Sequence, residues 1–173
     1  MNYEPWQHLV IEDFLPKKEF DYHCWRAQQI DMVDNVNRHF LDYDPFPGIQ
    51  WLKDDFDFVR SYDDTSVFVH YAATKAGFHH PRHVDSQFKI MSAVLYLSPE
   101  VNHGTDLFRS EKGKLVTSVD WKPNTLFVFC GRYNHTWHDY RATTNRYTLN
   151  WFLVDPMIIE NKEYRKVLVN DSN

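Results

Sequence analysis

The sequence predicts a mainly β protein, a sandwich or barrel of antiparallel strands with one N-terminal helix packed on a sheet. From residue 67 to 154, short apolar and aromatic runs are separated by turn residues, with no helical pattern between them. Residues 17 to about 32 instead carry apolar side chains at helical spacing. Aromatic residues make up 17% of the chain and glycines number only 5, which indicates a packed core rather than a low-complexity chain.

The length predicts one domain. A core built from 173 residues buries about 70% of the unfolded surface, whereas two cores would be cramped. We divide this domain into an N-terminal strand, helix and covering segment (1–64), a β core that carries the site (65–155) and a polar tail (156–173). The sequence shows no internal repeat and no linker.

Charge and cysteine content narrow the class of partner. The net charge of −5 and the pI near 6.0 argue against nucleic acid, which needs a basic surface. Cys24 and Cys130 are far apart and outside any C-x-x-C pair, which favours a reduced compartment. The first residues have no basic start and no apolar core, so no signal peptide is predicted, and no run is long enough to span a bilayer. We therefore expect a cytoplasmic protein without a membrane partner; the oligomeric state is left open.

The N-terminal third begins with a loosely alternating segment, residues 8–15, which ends at Pro16 and predicts a strand that leads into a helix. The helix of residues 17 to about 32 has an apolar stripe that we expect to pack on a sheet. Residues 34–64 interleave aromatic residues with aspartates, which suggests irregular covering structure with short strands.

The remaining apolar runs predict the strands of the β core. They comprise residues 67–71, 89–97, 105–109, 115–119, 125–130, 134–141 and 146–154. Their close spacing leaves no room for crossover helices, so neighbouring strands are expected to run antiparallel.

A His-x-Asp pair, His83 and Asp85, precedes the second of these strands. Residues two apart on an extended segment face the same way, so both side chains can reach one ion. A second histidine from a distant strand would complete a set of two imidazoles and one carboxylate, which suits iron(II) and leaves positions open. His135 and His138 compete for this role, and their opposite parity allows only one to face the interior of a single strand.

Arg146 follows His138 by eight residues. An arginine on an inward face is costly unless it meets an anion, and its guanidinium matches a carboxylate through two hydrogen bonds. Thr148 lies on the same face, two residues further on. The arginine beside a metal set therefore predicts an organic-acid co-substrate.

Residues 67–152 resemble the Fe(II)/2-oxoglutarate-dependent dioxygenases, in particular their small prolyl-hydroxylase-like members. That family carries His-x-Asp, a distal His, and an Arg followed two residues later by Ser or Thr. The matching segments are His83-Val84-Asp85, His138 and Arg146-Tyr147-Thr148. Tyr96 matches the tyrosine of the Tyr-Leu segment, and the context Trp137-His138-Asp139 favours His138 over His135. The family often has two glycines before its next strand, where this chain has only Gly104.

The resemblance implies a double-stranded β-helix, a relative of the jelly roll and the cupins. It implies that His83, Asp85 and His138 bind Fe(II), and that Arg146, Thr148 and Tyr96 bind 2-oxoglutarate. The implied reaction uses O2 and couples decarboxylation of 2-oxoglutarate to succinate with hydroxylation of an unactivated C–H bond. Because halogenases of this family lack the ligand carboxylate, Asp85 favours hydroxylation; desaturation and ring closure use the same ligands. A small molecule, an amino acid and a peptidyl proline all remain open as substrate.

Two other functions compete with this interpretation. One is a non-catalytic jelly-roll binding module that retains the metal site, and the other is a cupin-type dioxygenase without a keto acid. The complete ligand set speaks against the first and Arg146 against the second. We interpret His79, His80 and His103 as loop residues near the mouth of the site. If the segment with Asp54, Asp55, Asp57, Asp63 and Asp64 covers the iron, it would favour a cationic substrate.

Overall fold

The computed structural model of the protein describes residues 1–49, 52, 56, 65–86, 88–130 and 135–155. Within these residues it contains one helix and ten strands. They are β1 (His8–Ile11), α1 (Lys17–Ala27), β2 (Val36–Leu41), β3 (Ser66–Thr74), β4 (His79–His83), β5 (Lys89–Ser98), β6 (Thr105–Phe108), β7 (Leu115–Val119), β8 (Leu126–Cys130), β9 (Trp137–Arg141) and β10 (Arg146–Val154).

The strands form two antiparallel sheets. The six-stranded sheet has the order β1-β8-β5-β10-β3-β2, and the four-stranded sheet has the order β4-β9-β6-β7. From β3 to β10 the chain passes repeatedly from one sheet to the other, with only β6 and β7 consecutive in the same sheet. This is the winding of a double-stranded β-helix, and the predicted fold class is confirmed.

The N-terminal elements differ in length from their prediction. β1 stops at Ile11, and α1 ends at Ala27 rather than near residue 32. The helix ends because the amides of residues 29 and 30 bond to carbonyls three residues back, which tightens the last turn. β2 is a regular strand within the segment predicted to be irregular, because it extends the sheet by pairing with β3.

The two faces of the large sheet have different tasks. Along β5, Ala93, Leu95 and Leu97 belong to the main core cluster, together with Ala27 of α1. Alternate residues of the same strand point to the opposite face, towards the four-stranded sheet. The prediction of an N-terminal helix packed on the sheet is thus confirmed.

A second, smaller cluster fills one end of the space between the sheets. Its buried members are Trp6, Tyr96, Leu107, Val119, Phe127 and Phe129. Beside it remains a cavity of about 460 Å³, lined by polar as well as apolar side chains. At Gly104, the single glycine before β6, any larger residue is excluded, because a Cβ there would lie 1.8 Å from the carbonyl oxygen of Val119.

Several expectations concern residues that the structure does not describe. Most of the aspartate-rich segment 50–64 and the whole tail 156–173 lie outside the described residues, so the cationic-substrate hypothesis has no structural counterpart here. The division into one domain stays a prediction. In the described ranges, no helix combines the length and the apolar character required to cross a membrane.

Candidate active site

Three potential metal ligands converge where β4 meets β9. His83 is the last residue of β4 and lies opposite His138 of β9 in the strand register. Asp85 follows two residues later, and one ligand atom from each of the three lies within 4.8 Å of the others. Within the described parts of the chain, no other group of three His, Cys, Asp or Glu residues converges in this way.

The two imidazoles are oriented by backbone carbonyls. His83 Nδ1 lies 2.9 Å from the carbonyl oxygen of Pro81, and His138 Nδ1 lies 2.8 Å from that of Thr136. Because a carbonyl only accepts, each Nδ1 carries the proton and each Nε2 keeps a free lone pair. Burial, with the nearby His138, lowers the pKa of His83 to about 4, and burial also lowers the pKa of His138. Both rings are therefore neutral at neutral pH, the form that binds metal.

Asp85 is held as an ionised carboxylate. Its side chain is only 8% exposed, and Lys89 Nζ lies 3.0 Å from its Oδ1. Ser92 Oγ donates a hydrogen bond to Oδ2. Burial alone would raise the pKa of Asp85, but Lys89, the two histidines and the Ser92 hydrogen bond outweigh it and hold the pKa well below its usual range. Two neutral imidazoles and one carboxylate with open space beside them fit iron(II).

Arg146 begins β10 and is 3% exposed. Its guanidinium carbon lies 4.1, 5.0 and 5.3 Å from the ring centroids of Tyr140, Trp121 and Tyr96. No described residue forms an ion pair with Arg146, and its Nε has no hydrogen-bond partner. Burial lowers the pKa of Arg146, because a cation withdrawn from water loses its hydration. Aromatic faces compensate only part of this loss, so the site suits an anion.

Thr148 and Tyr96 lie opposite each other on paired strands, β10 and β5. Thr148 lines the cavity, two residues beyond Arg146. Tyr96 is fully buried, its ring stacks on Trp121 at 4.6 Å, and its hydroxyl lies 2.7 Å from Thr105 Oγ1. Burial raises the pKa of Tyr96, so the hydroxyl stays protonated. The tyrosine thus contributes to the aromatic surround of the guanidinium, and its hydroxyl already bonds to Thr105.

The remaining histidines lie outside the ligand group. His135 precedes β9 and is exposed. His79 and His80 belong to β4, so their interpretation as loop residues was wrong; strand pairing with β9 extends further than the sequence suggested. His80 lines the cavity, with its ring 4.1 Å from that of His83. His103 lies before β6, with its Nε2 3.6 Å from an oxygen of Asp106.

Lys89, Ser92 and Tyr140 were missed as cavity residues. Ser92 shares a strand face with Tyr96, and Tyr140 shares one with His138, so strand parity was a usable signal for both. Lys89 has the wrong parity for the face of Ser92. The register between β5 and β10 shifts next to Lys89, which interrupts the alternation of faces, and Lys89 lines the cavity.

Arg82 connects β4, which carries His83, to the β6–β7 turn and to β9. Its Nη1 donates hydrogen bonds of 2.7 and 2.8 Å to carbonyls of residues 111 and 113 in the β6–β7 turn. Its guanidinium carbon lies 3.3 Å from the ring centroid of Phe108, and its Nε lies 3.9 Å from Asp139 Oδ2. Arg82 precedes His83 and Asp139 follows His138. The contact therefore joins the two strands next to both imidazoles.

Solved structures with a similar fold include prolyl hydroxylases and an oxidoreductase of the 2OG-Fe(II) oxygenase family from Burkholderia pseudomallei. A viral collagen prolyl hydroxylase from Paramecium bursaria chlorella virus 1, in complex with 2-oxoglutarate, matches with a TM-score of 0.66 and 17% identity over 88% of this chain and 97% of its own. A prolyl-4-hydroxylase of Pseudomonas putida matches with a TM-score of 0.60 and 17% identity, over 85% of this chain and 91% of its own. A Trichoplax adhaerens prolyl hydroxylase bound to a hypoxia inducible factor peptide matches with a TM-score of 0.63 and 16% identity, over 87% of this chain and 84% of its own.

Comparisons of the sequence alone find no matching family model and no matching curated protein. The resemblance inferred from the motifs is confirmed at the level of the fold, because these structural neighbours are of the kind that the motifs indicated.

Proposed function

We propose that this protein is an Fe(II)- and 2-oxoglutarate-dependent oxygenase that hydroxylates an unactivated C–H bond. One observation carries the proposal: a buried arginine without a described carboxylate partner lines the same cavity as a set of two histidines and one aspartate. Hydroxylation inserts one oxygen atom of dioxygen, so a co-substrate must supply two electrons to take up the second atom, and Arg146 is suited to bind the far carboxylate of a keto acid in this role.

Each residue has a defined task in this proposal. His83, Asp85 and His138 hold the iron, and Arg146 with Thr148 binds the far carboxylate of 2-oxoglutarate. The ring of Tyr96 packs near the guanidinium of Arg146, and Tyr96 assists 2-oxoglutarate binding by keeping this guanidinium in place. When bound, the iron and the keto acid supply the oxidising chemistry, which couples decarboxylation to hydroxylation. The protein fixes the geometry and excludes water with the aromatic residues around Arg146.

Asp85 supports hydroxylation over halogenation, because its carboxylate occupies the position that a halide would need. A cupin-type dioxygenase would have no use for a buried Arg146. A non-catalytic module would not need two imidazoles with free Nε2 atoms beside an ionised carboxylate. The substrate is a small molecule or a peptide; one structural neighbour is a prolyl hydroxylase bound to a peptide, which makes a peptidyl proline one candidate.

The test uses the purified protein under anaerobic conditions. Addition of Fe(II) and 2-oxoglutarate should produce the weak visible charge-transfer band of the chelate. Admission of oxygen should then release succinate, slowly alone and faster with a substrate. Absence of both the band and succinate across a broad substrate panel would contradict the proposal.

The choice of the distal histidine can be tested in the same assay. His138→Ala should abolish the band, because it removes one of the converging ligands. His135→Ala is the matched control and should leave the band unchanged, since His135 lies outside the ligand group. The reverse pattern would show that the ligand assignment is wrong.

A further inference from the structure

Lys89 stands out among the charged residues of the cavity. Its side chain is 13% exposed, and Nζ lies 4.0 Å from the ring centroid of Phe152 and 3.0 Å from Asp85 Oδ1. Among the described residues, Asp85 is the one carboxylate that pairs with it. Within the described part of the chain, the one anionic partner of this ammonium group is therefore a residue that we assign to the metal.

The charges of the loaded cavity do not balance around Lys89. Of the described residues that line the cavity, only Asp85 is a carboxylate. The iron dication and the 2-oxoglutarate dianion cancel, and Asp85 can offset only one of the three cationic side chains that line the cavity, Arg38, Lys89 and Arg146. Among the described residues, Lys89 then has no carboxylate of its own, because Asp85 must share its charge with the metal.

A second cation acts on the same wall. Burial lowers the pKa of His70, and the charges of Arg38 and Lys89 lower it further, so the fields of both cations reach this ring. His70 stays neutral and adds no compensating charge. A largely buried ammonium group is costly unless it meets an anion. The wall at Lys89 and His70 is therefore suited to a negatively charged group.

We propose, building on the function proposed above, that Lys89 binds an anionic group of the prime substrate, and that this substrate is a small carboxylic acid such as a free amino acid. The ammonium group offers three donors and a compact charge, which suit a carboxylate oxygen without fixing its orientation. Phe152 beneath the ammonium group holds it at the cavity wall. An internal peptide residue, which has no carboxylate of its own at this point, would leave Lys89 unpaired.

The experiment compares acids with their neutral counterparts. The probes are the protein amino acids, each as the free acid and as its α-carboxamide, titrated into the anaerobic protein loaded with Fe(II) and 2-oxoglutarate. Binding is measured as perturbation of the charge-transfer band. We expect at least one acid to bind about tenfold or more tightly than its amide, as for a hydrogen bond to a charged group.

Three variants assign the effect to Lys89. Lys89→Met should weaken binding of that acid about tenfold or more while leaving the affinity for its amide and for 2-oxoglutarate unchanged. Lys89→Arg should restore most of the affinity, because it restores the charge. Lys122→Met is the matched control: it removes the same charge from an exposed pair with Glu12 and should change nothing.

The possible results separate the two proposals. If the wild-type protein forms no band, the proposed function fails and this inference fails with it. If the band forms but no acid perturbs it, or acids and amides bind equally, only the inference about Lys89 is overturned. It is also overturned if Lys89→Met weakens 2-oxoglutarate as much as the acid, since the lysine would then serve the co-substrate.

Discussion

Replacing Arg146 by methionine should remove the response of the protein to 2-oxoglutarate. The guanidinium is 3% exposed and has aromatic rings but no described carboxylate around it. Truncating one partner of a buried charged pair costs about 2 to 5 kcal/mol of binding. The dissociation constant of 2-oxoglutarate should therefore rise by about 30-fold to several thousandfold.

Thermal unfolding measures this loss directly. With Fe(II) under anaerobic conditions, 2-oxoglutarate at one hundred times its wild-type dissociation constant stabilises the native state by about 2.7 kcal/mol. The same concentration should stabilise the Arg146→Met variant by at most about 0.9 kcal/mol, the value that follows if its dissociation constant rises by only about 30-fold. For a chain of this size, the melting temperature should rise by about 5 to 11 °C in the wild type and by less than about 4 °C in the variant.

The ligand-free variant provides the internal check. Its melting temperature should lie at most a few degrees below that of the wild type, because methionine fills the space and the substitution removes a costly buried charge. Arg109→Met is the matched control, since Arg109 is exposed and, among the residues that the structure describes, forms its ion pair with the exposed Glu4. A full wild-type response to 2-oxoglutarate in Arg146→Met would refute the assignment of the arginine to the co-substrate.

Two further predictions concern β4 and β9, the strands that carry the candidate ligands His83 and His138. The metal-free protein should lose stability as the pH falls from about 6.5 to about 4. The pKa of His83 is lowered to about 4, so the unfolded chain takes up the proton first, and stabilisation present above the unfolded pKa is lost on acidification. Urea unfolding at several pH values measures the slope, which should be smaller in His83→Gln; a stability independent of pH over this interval would contradict the burial of neutral imidazoles. Arg82→Met should lower stability by about 2 kcal/mol, because it removes charge-assisted hydrogen bonds to two carbonyls. It should also weaken Mn(II) binding about tenfold, as for other residues that orient metal ligands; loss of stability with unchanged metal affinity would limit Arg82 to a structural role.

Local patterns were sufficient for several core strands but not for β4, the strand that carries His83, which was predicted as a loop. β7 and β10 were predicted at their observed bounds, and β5 and β8 to within one residue. The apolar runs of β5, β8 and β10 reflect burial, whereas β7 is mostly exposed and is paired with β6. β2 was not predicted as a regular strand. Its sequence does not alternate regularly between apolar and polar residues, and it is a strand because the edge of β3 offers hydrogen-bond partners that no local pattern reveals.

The candidate site was predictable to a similar degree. His83 and Asp85 followed from their spacing, and Arg146 followed from the cost of a buried guanidinium. The choice between His138 and His135 depended on where β9 begins. The structure places that start at Trp137, so the exposed His135 precedes the strand, and His138 lies opposite His83.

By itself, the sequence predicted an antiparallel β fold, the candidate ligands His83 and Asp85 and an anionic co-substrate for Arg146, because each depends on residue type and on the two-residue repeat of a strand. The family resemblance added the double-stranded β-helix and the choice of His138. The tertiary structure decided which charges meet. Lys89 next to Asp85 depends on an irregularity in the pairing of β5 with β10, and Arg82 next to Asp139 depends on the pairing of β4 with β9. Electrostatic interactions act across space between strands distant in sequence, so the charge balance of the cavity became visible only once the sheets were assembled.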